Sequence, residues 1–299
     1  MPEDSAPIVP APLCEGARVA VIAPAGPCDR TLVLRGLGWL GEHYKVEFDP
    51  GLFERTGYLA GSDARRLAEL ERCLADPGLS AVLVARGGYG LTRIAERADF
   101  AALRRHPKWL VGFSDATALH VEALRVGVAS LHAANVGGLG RGDARARERF
   151  RRALAAPASR RVIEGLECWT PGRARGPLVG GNLSLLAACA SAGRLFVPAG
   201  ALIALEDVTE SAYRVDRLLT SLFSGGHFDR AAGVVLGDFT DCPPSAGTHV
   251  PSVLREKLAG LRVPVLAGLR FGHGDENEPL PFGLPATLDA ASGTLTLGS

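Results

Sequence analysis

At 299 residues the chain is long enough for one large domain or two of ordinary size. Its 47% apolar and 22% charged residues exclude intrinsic disorder, and a net charge of +1 excludes any strong overall field toward nucleic acid or membrane. Six scattered cysteines without a C-x-x-C pair argue against a disulfide framework, a zinc site or a redox motif.

The N-terminal residues MPEDSAPIVPAPLCEG form a loose, Pro-rich lead-in over 1–16, acidic where a signal peptide is basic. No apolar run approaches the length of a membrane span, so a cytoplasmic protein is expected. Arg18–Ala23 is a β-branched run that reads as a buried strand, closed by Pro24-Ala25-Gly26-Pro27. A helix is predicted over about Arg30–His43 and a short strand over Lys45–Phe48. Ser62 then caps a helix whose Leu67, Leu70 and Leu74 fall at helical spacing.

Ser80–Ala85 is the third strand and runs into Arg86-Gly87-Gly88-Tyr89-Gly90. Trp109-Leu110-Val111 is the fourth. It ends in an abrupt turn at Ser114-Asp115, and a helix follows with Gly127 past its end. Ala129–Ala133 is the fifth strand. Continuous apolar strands alternating with helices argue a parallel sheet covered on both faces, a doubly wound α/β domain over residues 1–140.

Residues 141–175 open arginine-rich and weakly apolar, with Arg145, Arg147, Arg149, Arg151 and Arg152, and read as a linker carrying a solvated connecting helix rather than a nucleic-acid patch. A smaller C-terminal α/β domain is expected over 176–299. Its strands lie at Pro177–Val179, Ala201–Leu205, Ala232–Leu236 and Val263–Leu266. Helices run through Leu185–Ala190 and Tyr213–Leu222, and the tail is β-rich from Pro281 onward.

Gly112-Phe113-Ser114-Asp115-Ala116 approaches the G-x-S-x-G of a nucleophile elbow, without the second glycine. Alone, it also fits a serine capping an ordinary helix. Ser114, Glu206 and His273 all follow the C-terminal ends of predicted strands, the edge where open α/β sheets bind ligands. Their chain order, Ser then carboxylate then His, is one known for hydrolytic triads, with Ser114 as nucleophile, His273 as base and Glu206 orienting it.

Asp115 and Asp207 are rival carboxylates, each expected to point away from the site, and His132 is the competing base. His120, on the elbow helix, reads as a packed histidine. The Gly87-Gly88 turn lacks a dinucleotide or Walker pattern. It is either a plain turn or, with the Asp115 N–H, an oxyanion hole.

Six motifs occur in order: Tyr58-Leu59-Ala60-Gly61, Arg86-Gly87-Gly88-Tyr89-Gly90, Gly112–Thr117, Gly180-Gly181-Asn182-Leu183, Leu205-Glu206-Asp207-Val208 and Gly272-His273-Gly274. In these, and from about Gly16 to the end, the chain resembles the LD-carboxypeptidase family. These are serine peptidases that include murein tetrapeptide carboxypeptidase and the microcin C immunity peptidases. The resemblance implies a Ser114-Glu206-His273 triad and an oxyanion hole from the backbone of Gly87, Gly88 and Asp115, with no cofactor or metal. Arg86 and Asn182 are candidate substrate contacts.

The resemblance also implies a homodimer and a small peptide substrate, the murein tetrapeptide, losing its terminal D-alanine in cytoplasmic peptidoglycan recycling. Neither a nucleic-acid nor a membrane partner is expected. Cleavage of peptidyl-nucleotide antibiotics is the alternative within the enzyme class, and a non-catalytic small-molecule binder the alternative outside it. Leu131-His132-Ala133-Ala134-Asn135 departs from the His-Gly-Pro-like turn expected there.

Overall fold

The computed structural model describes residues 6–298, so the first five positions of the expected lead-in lie outside the described residues. The chain divides into two compact units. One runs through Pro157 and includes Pro279–Pro281; the other spans Ala158–Glu278 and resumes at Phe282.

In the first unit the order is β1 (Arg18–Ile22), α1 (Arg30–Gly41), β2 (Lys45–Glu47), α2 (Asp63–Ala75), β3 (Ala81–Val84) and α3 (Phe100–Arg105). It continues with β4 (Trp109–Gly112), α4 (Thr117–Arg125), β5 (Ser130–His132), α5 (Val136–Arg141) and α6 (Ala144–Ala155). The strands lie in the order β5-β4-β3-β1-β2, all parallel. Val19–Ile22 and Ala81–Val84 are buried because helices cover both faces, which is why these strands read as unbroken apolar runs. Ser62 caps α2 as expected, its hydroxyl accepting from the Arg65 N–H.

The order reverses between β1 and β3. The crevice at that switch point is flanked by the Pro24–Pro27 loop and the Arg86–Gly90 turn, tied together by a 3.0 Å hydrogen bond from the Gly26 N–H to the Gly87 carbonyl.

The second unit contains β6 (Arg161–Ile163), β7 (Glu167–Thr170), β8 (Arg173–Asn182), α7 (Leu183–Ser191), β9 (Leu202–Val208), α8 (Ala212–Ser224), β10 (Gly233–Thr240), α9 (Val250–Ala259) and β11 (Val265–Ala267). Next come β12 (Leu280–Phe282), β13 (Pro285–Asp289) and β14 (Thr294–Leu297); β12 takes the edge of the first sheet beside β5. Strands β8-β9-β10-β11 are a parallel centre, extended antiparallel by β13-β14-β6 on one side and β7 on the other. The tail thus adds strands to one mixed sheet. Buried Ala286, Leu288, Leu295 and Leu297 alternate with more exposed neighbours at period two.

The stretch expected as a linker, 141–175, is divided instead between the two units. Helix α6 belongs to the first, capped by Asp143 and burying Phe150, Ala153 and Leu154 beneath its arginine-rich face. Strands β6 and β7 are edge strands of the second sheet. The first unit also runs past residue 140, because α5 lies tightly on α1, with Gly140 against the Leu32 backbone and Gly36 against that of Val136. Cys28 is half-buried and donates to the Leu52 carbonyl.

Candidate active site

Strand β4 delivers Phe113 in extended geometry, and the chain then turns at once through Ser114–Ala116 into α4. Ser114 has φ +65°, the left-handed region that costs a non-glycine residue about 1–3 kcal/mol and concentrates at functional sites. The strain is held from outside the turn. Asn135 accepts from the Phe113 N–H at 3.1 Å, and its amide reaches back to the Phe113 carbonyl at 3.5 Å. Asn135 lies in the segment that departs from the expected turn, and sequence reasoning assigned it no role.

The glycine-rich turn comes up against this elbow. A Cβ placed on Gly87 would lie 2.9 Å from the Ser114 Cβ and 3.0 Å from its Oγ, so no side chain fits there. Asp115 is fully buried and points away from the serine, as its position on the elbow led us to expect. Its Oδ2 accepts from the Leu91 N–H at 2.8 Å, and burial raises its carboxyl pKa to about 7. Arg86 is exposed, with one guanidinium nitrogen 3.3 Å from the Pro27 carbonyl.

His120 is a packed histidine. Its Nε2 lies 2.9 Å from the Gly112 carbonyl, which can only accept, so Nε2 carries the proton and Nδ1 accepts from the Ser130 hydroxyl at 2.9 Å. Burial lowers its pKa to about 4. His132, the competing base, is buried with the Phe113 and His120 rings 5.8 and 6.1 Å away.

In the second unit Glu206 and His273 meet. His273 Nδ1 is 2.7 Å from Glu206 Oε2; the carboxylate is buried and the imidazole one-fifth exposed. Burial raises the pKa of Glu206, and the hydrogen bond from His273 opposes that shift. The loop carrying His273 is stapled on both sides: Asn277 accepts from the Gly272 N–H at 3.1 Å, and the Gly274 N–H bonds to Asp238. Asp238 and Asn277 were not singled out in the sequence. Only the position of Asp238 near the end of β10, on the ligand-binding edge of the sheet, pointed that way.

Asp207 faces the opposite side of β9, as strand alternation requires, accepting from Asn182 Nδ2 at 2.8 Å and from the Ser184 N–H and hydroxyl. Asn182 is therefore buried, and its Oδ1 caps α7 by accepting from the Leu185 N–H. Ser114 lies in the first unit, Glu206 and His273 in the second. Among the described residues no group of three His, Cys, Asp or Glu could hold a metal ion, and no helix is long and apolar enough to cross a membrane.

An elbow serine at a parallel strand end of the first unit and a buried carboxylate–imidazole pair in the second are groups of the kind that α/β hydrolases use. Comparison with known proteins makes the class specific. Residues 19–133 match the LD-carboxypeptidase N-terminal domain and residues 175–288 the LD-carboxypeptidase C-terminal domain. A Streptomyces coelicolor protein, provisionally named a carboxypeptidase, is 44% identical over 297 residues, covering 96% of this chain and 95% of that one. The murein tetrapeptide carboxypeptidase of Pseudomonas aeruginosa is 33% identical, covering 91% and 93%.

Among solved structures, muramoyltetrapeptide carboxypeptidase from Oxalobacter formigenes superposes with TM-score 0.85 at 29% identity, covering 94% of this chain and 99% of that one. MccF in complex with glutamyl sulfamoyl guanosine superposes with TM-score 0.89 at 20% identity, covering 98% and 99%, a likeness of fold alone. The chain belongs to the LD-carboxypeptidase family. Its carboxypeptidase relatives support peptidase activity of that type.

Proposed function

We propose that this chain is a serine LD-carboxypeptidase that releases the terminal D-alanine of murein tetrapeptide, acting in the cytoplasm, as a homodimer, in peptidoglycan recycling. The observation that carries the chemistry is the 2.7 Å pairing of His273 Nδ1 with buried Glu206. A carboxylate on Nδ1 fixes the tautomer in which Nδ1 carries the proton and Nε2 is the basic nitrogen of the ring. In this reading Ser114 Oγ attacks the carbonyl of the diaminopimelate–D-alanine bond while His273 Nε2 takes its proton. The oxyanion is met by backbone N–H groups of the Gly87-Gly88 turn and of Asp115. The proton on His273 then passes to the amine of the departing D-alanine, and water completes hydrolysis of the acyl-enzyme by the same route.

Arg86 is the proposed anchor for the substrate's terminal carboxylate, since its guanidinium is exposed beside the glycine turn. Asn182, first taken as a substrate contact, is better proposed as a support. It holds Asp207 and lies beside Glu206 in the β8–β9 register. Incubating the protein with murein tetrapeptide and detecting free D-alanine by mass spectrometry tests the activity, and absence of release sinks it. Cleavage of peptidyl-nucleotides is the second reading, favoured by the fold likeness to MccF. Competition between tetrapeptide and a peptidyl-adenylate analogue separates the two.

A further inference from the structure

The peptide plane between Gly90 and Leu91 is gripped at both ends by buried, oppositely charged side chains. At its carbonyl, Arg66 Nη1 donates to the Gly90 oxygen at 2.8 Å; at its N–H, Asp115 Oδ2 accepts from Leu91 at 2.8 Å. Both side chains are fully buried. Arg66 rises from α2, donates also to the Pro24 carbonyl and pairs with Asp63. Asp115 sits on the elbow, one residue after Ser114.

Gly90 has φ +141°, a backbone open to glycine, and its carbonyl also accepts from the Arg93 N–H at 3.2 Å. The two charges reinforce that orientation from either end. A flipped plane would turn its oxygen to the Asp115 carboxylate and its N–H to the guanidinium, losing two charge-assisted hydrogen bonds in a buried site. Three residues earlier, Gly87 lies against Ser114.

We propose that Arg66 and Asp115 are positioning residues that lock the Gly90–Leu91 peptide plane and so hold the Gly87-Gly88 turn in register with the Ser114 elbow. This rests on Ser114 being the nucleophile and the turn an oxyanion hole. The clamp links the nucleophile and the oxyanion donors through one side chain of the residue that follows the serine, so the two parts of the site cannot drift apart independently. The bond from the Leu91 N–H is strongest with Asp115 ionised. The charged group facing that carboxylate is Arg66, whose attraction favours the ionised form, while burial opposes it.

The test is Asp115→Asn, which keeps the volume and removes the charge, assayed beside Ser114→Ala and by hydrogen exchange of the segment 86–92. We expect kcat to fall about 10- to 100-fold with KM changed less than about twofold, because a donor moved by a fraction of an ångström fails the transition state and not the ground state. We also expect faster exchange at the Leu91 amide of that variant.

Unchanged kcat in a folded Asp115→Asn, or a loss confined to KM, overturns the clamp. Should that variant fail to fold, Arg66→Lys assayed in the same way decides, and unchanged kcat with unchanged Leu91 exchange overturns the proposal. Full activity in Ser114→Ala removes the nucleophile assignment instead, while the exchange data still judge the clamp.

Discussion

His273 Nδ1 and Glu206 Oε2 are 2.7 Å apart, and Gly272 makes that approach possible: a Cβ there would lie 2.5 Å from the same Oε2, at φ +117°. The imidazole reaches the buried carboxylate because the residue before it has no side chain and can adopt a left-handed backbone. Glu206→Gln should therefore lower kcat about 10³- to 10⁴-fold with little change in KM, by presenting the wrong hydrogen-bonding partner to Nδ1. Gly272→Ala should lower kcat in the same direction and also cost about 1–3 kcal/mol of stability. Steady-state kinetics with thermal melts check both; near-normal kcat in either variant detaches Glu206 from the chemistry.

Ser114→Ala should abolish turnover, a loss of ~10⁴–10⁶ in kcat, and leave stability within about 0.5 kcal/mol. Alanine inherits the same φ +65° and loses no packing methylene. Retention of more than a few per cent of activity would falsify the assignment of Ser114 as nucleophile.

A chelator should leave activity unchanged, because the residues proposed for the chemistry are a hydroxyl, an imidazole and a carboxylate with no metal-ligand grouping among the described residues. Activity lost in EDTA and restored by zinc would overturn the triad.

The tetrapeptide ending in D-alanine should be cleaved well and the isomer ending in L-alanine poorly. A pocket shaped for a D-centre puts the wrong hand's methyl where the carboxylate binds, which costs positioning at the scissile carbonyl. Equal kcat/KM for the two isomers would remove the stereochemical basis of the proposal. A marked preference for a peptidyl-adenylate would move the chain to the nucleotide-cleaving branch. The second unit's Trp169 makes a poor base platform, since Arg255 already covers its ring at 3.9 Å.

His120 makes stability pH-dependent with a definite sign. Its pKa is about 4 in the fold and 6.5 in the unfolded chain, so below pH 6.5 only the unfolded chain binds the proton. The stabilisation is present above 6.5 and declines toward pH 4, by up to ~1.4 kcal/mol per pH unit. Asp115, raised from 3.8 to about 7, acts in the opposite direction, costing stability as pH rises through that range. The informative measurement is the difference between wild type and His120→Gln in denaturant unfolding at pH 5 and pH 7. Equal pH slopes in the two proteins would show that His120 is not held neutral.

Much of this protein was legible along the chain because it is local. Buried parallel strands appear as apolar runs, Ser62 announces α2 by capping it, and Ser114 stands between a strand and a helix pattern. The match of six spaced motifs to a family did the rest. Helix α6 is the connecting helix the arginine run predicts, but its attachment to the first unit was not legible, because only Phe150, Ala153 and Leu154 anchor it and so thin a stripe leaves little periodicity.

What the chain pattern could not supply are bonds between residues far apart in sequence: Asp115 to Leu91, Asn135 to Phe113, Asn182 to Asp207, Lys108 on the carbonyls that end α2. Each removes a polar group from water and is tolerable only where a partner waits at hydrogen-bond distance. That distance is set by the packing of whole strands and helices, so the tertiary structure alone decides which buried polar residue supports the site and which would destabilise the fold.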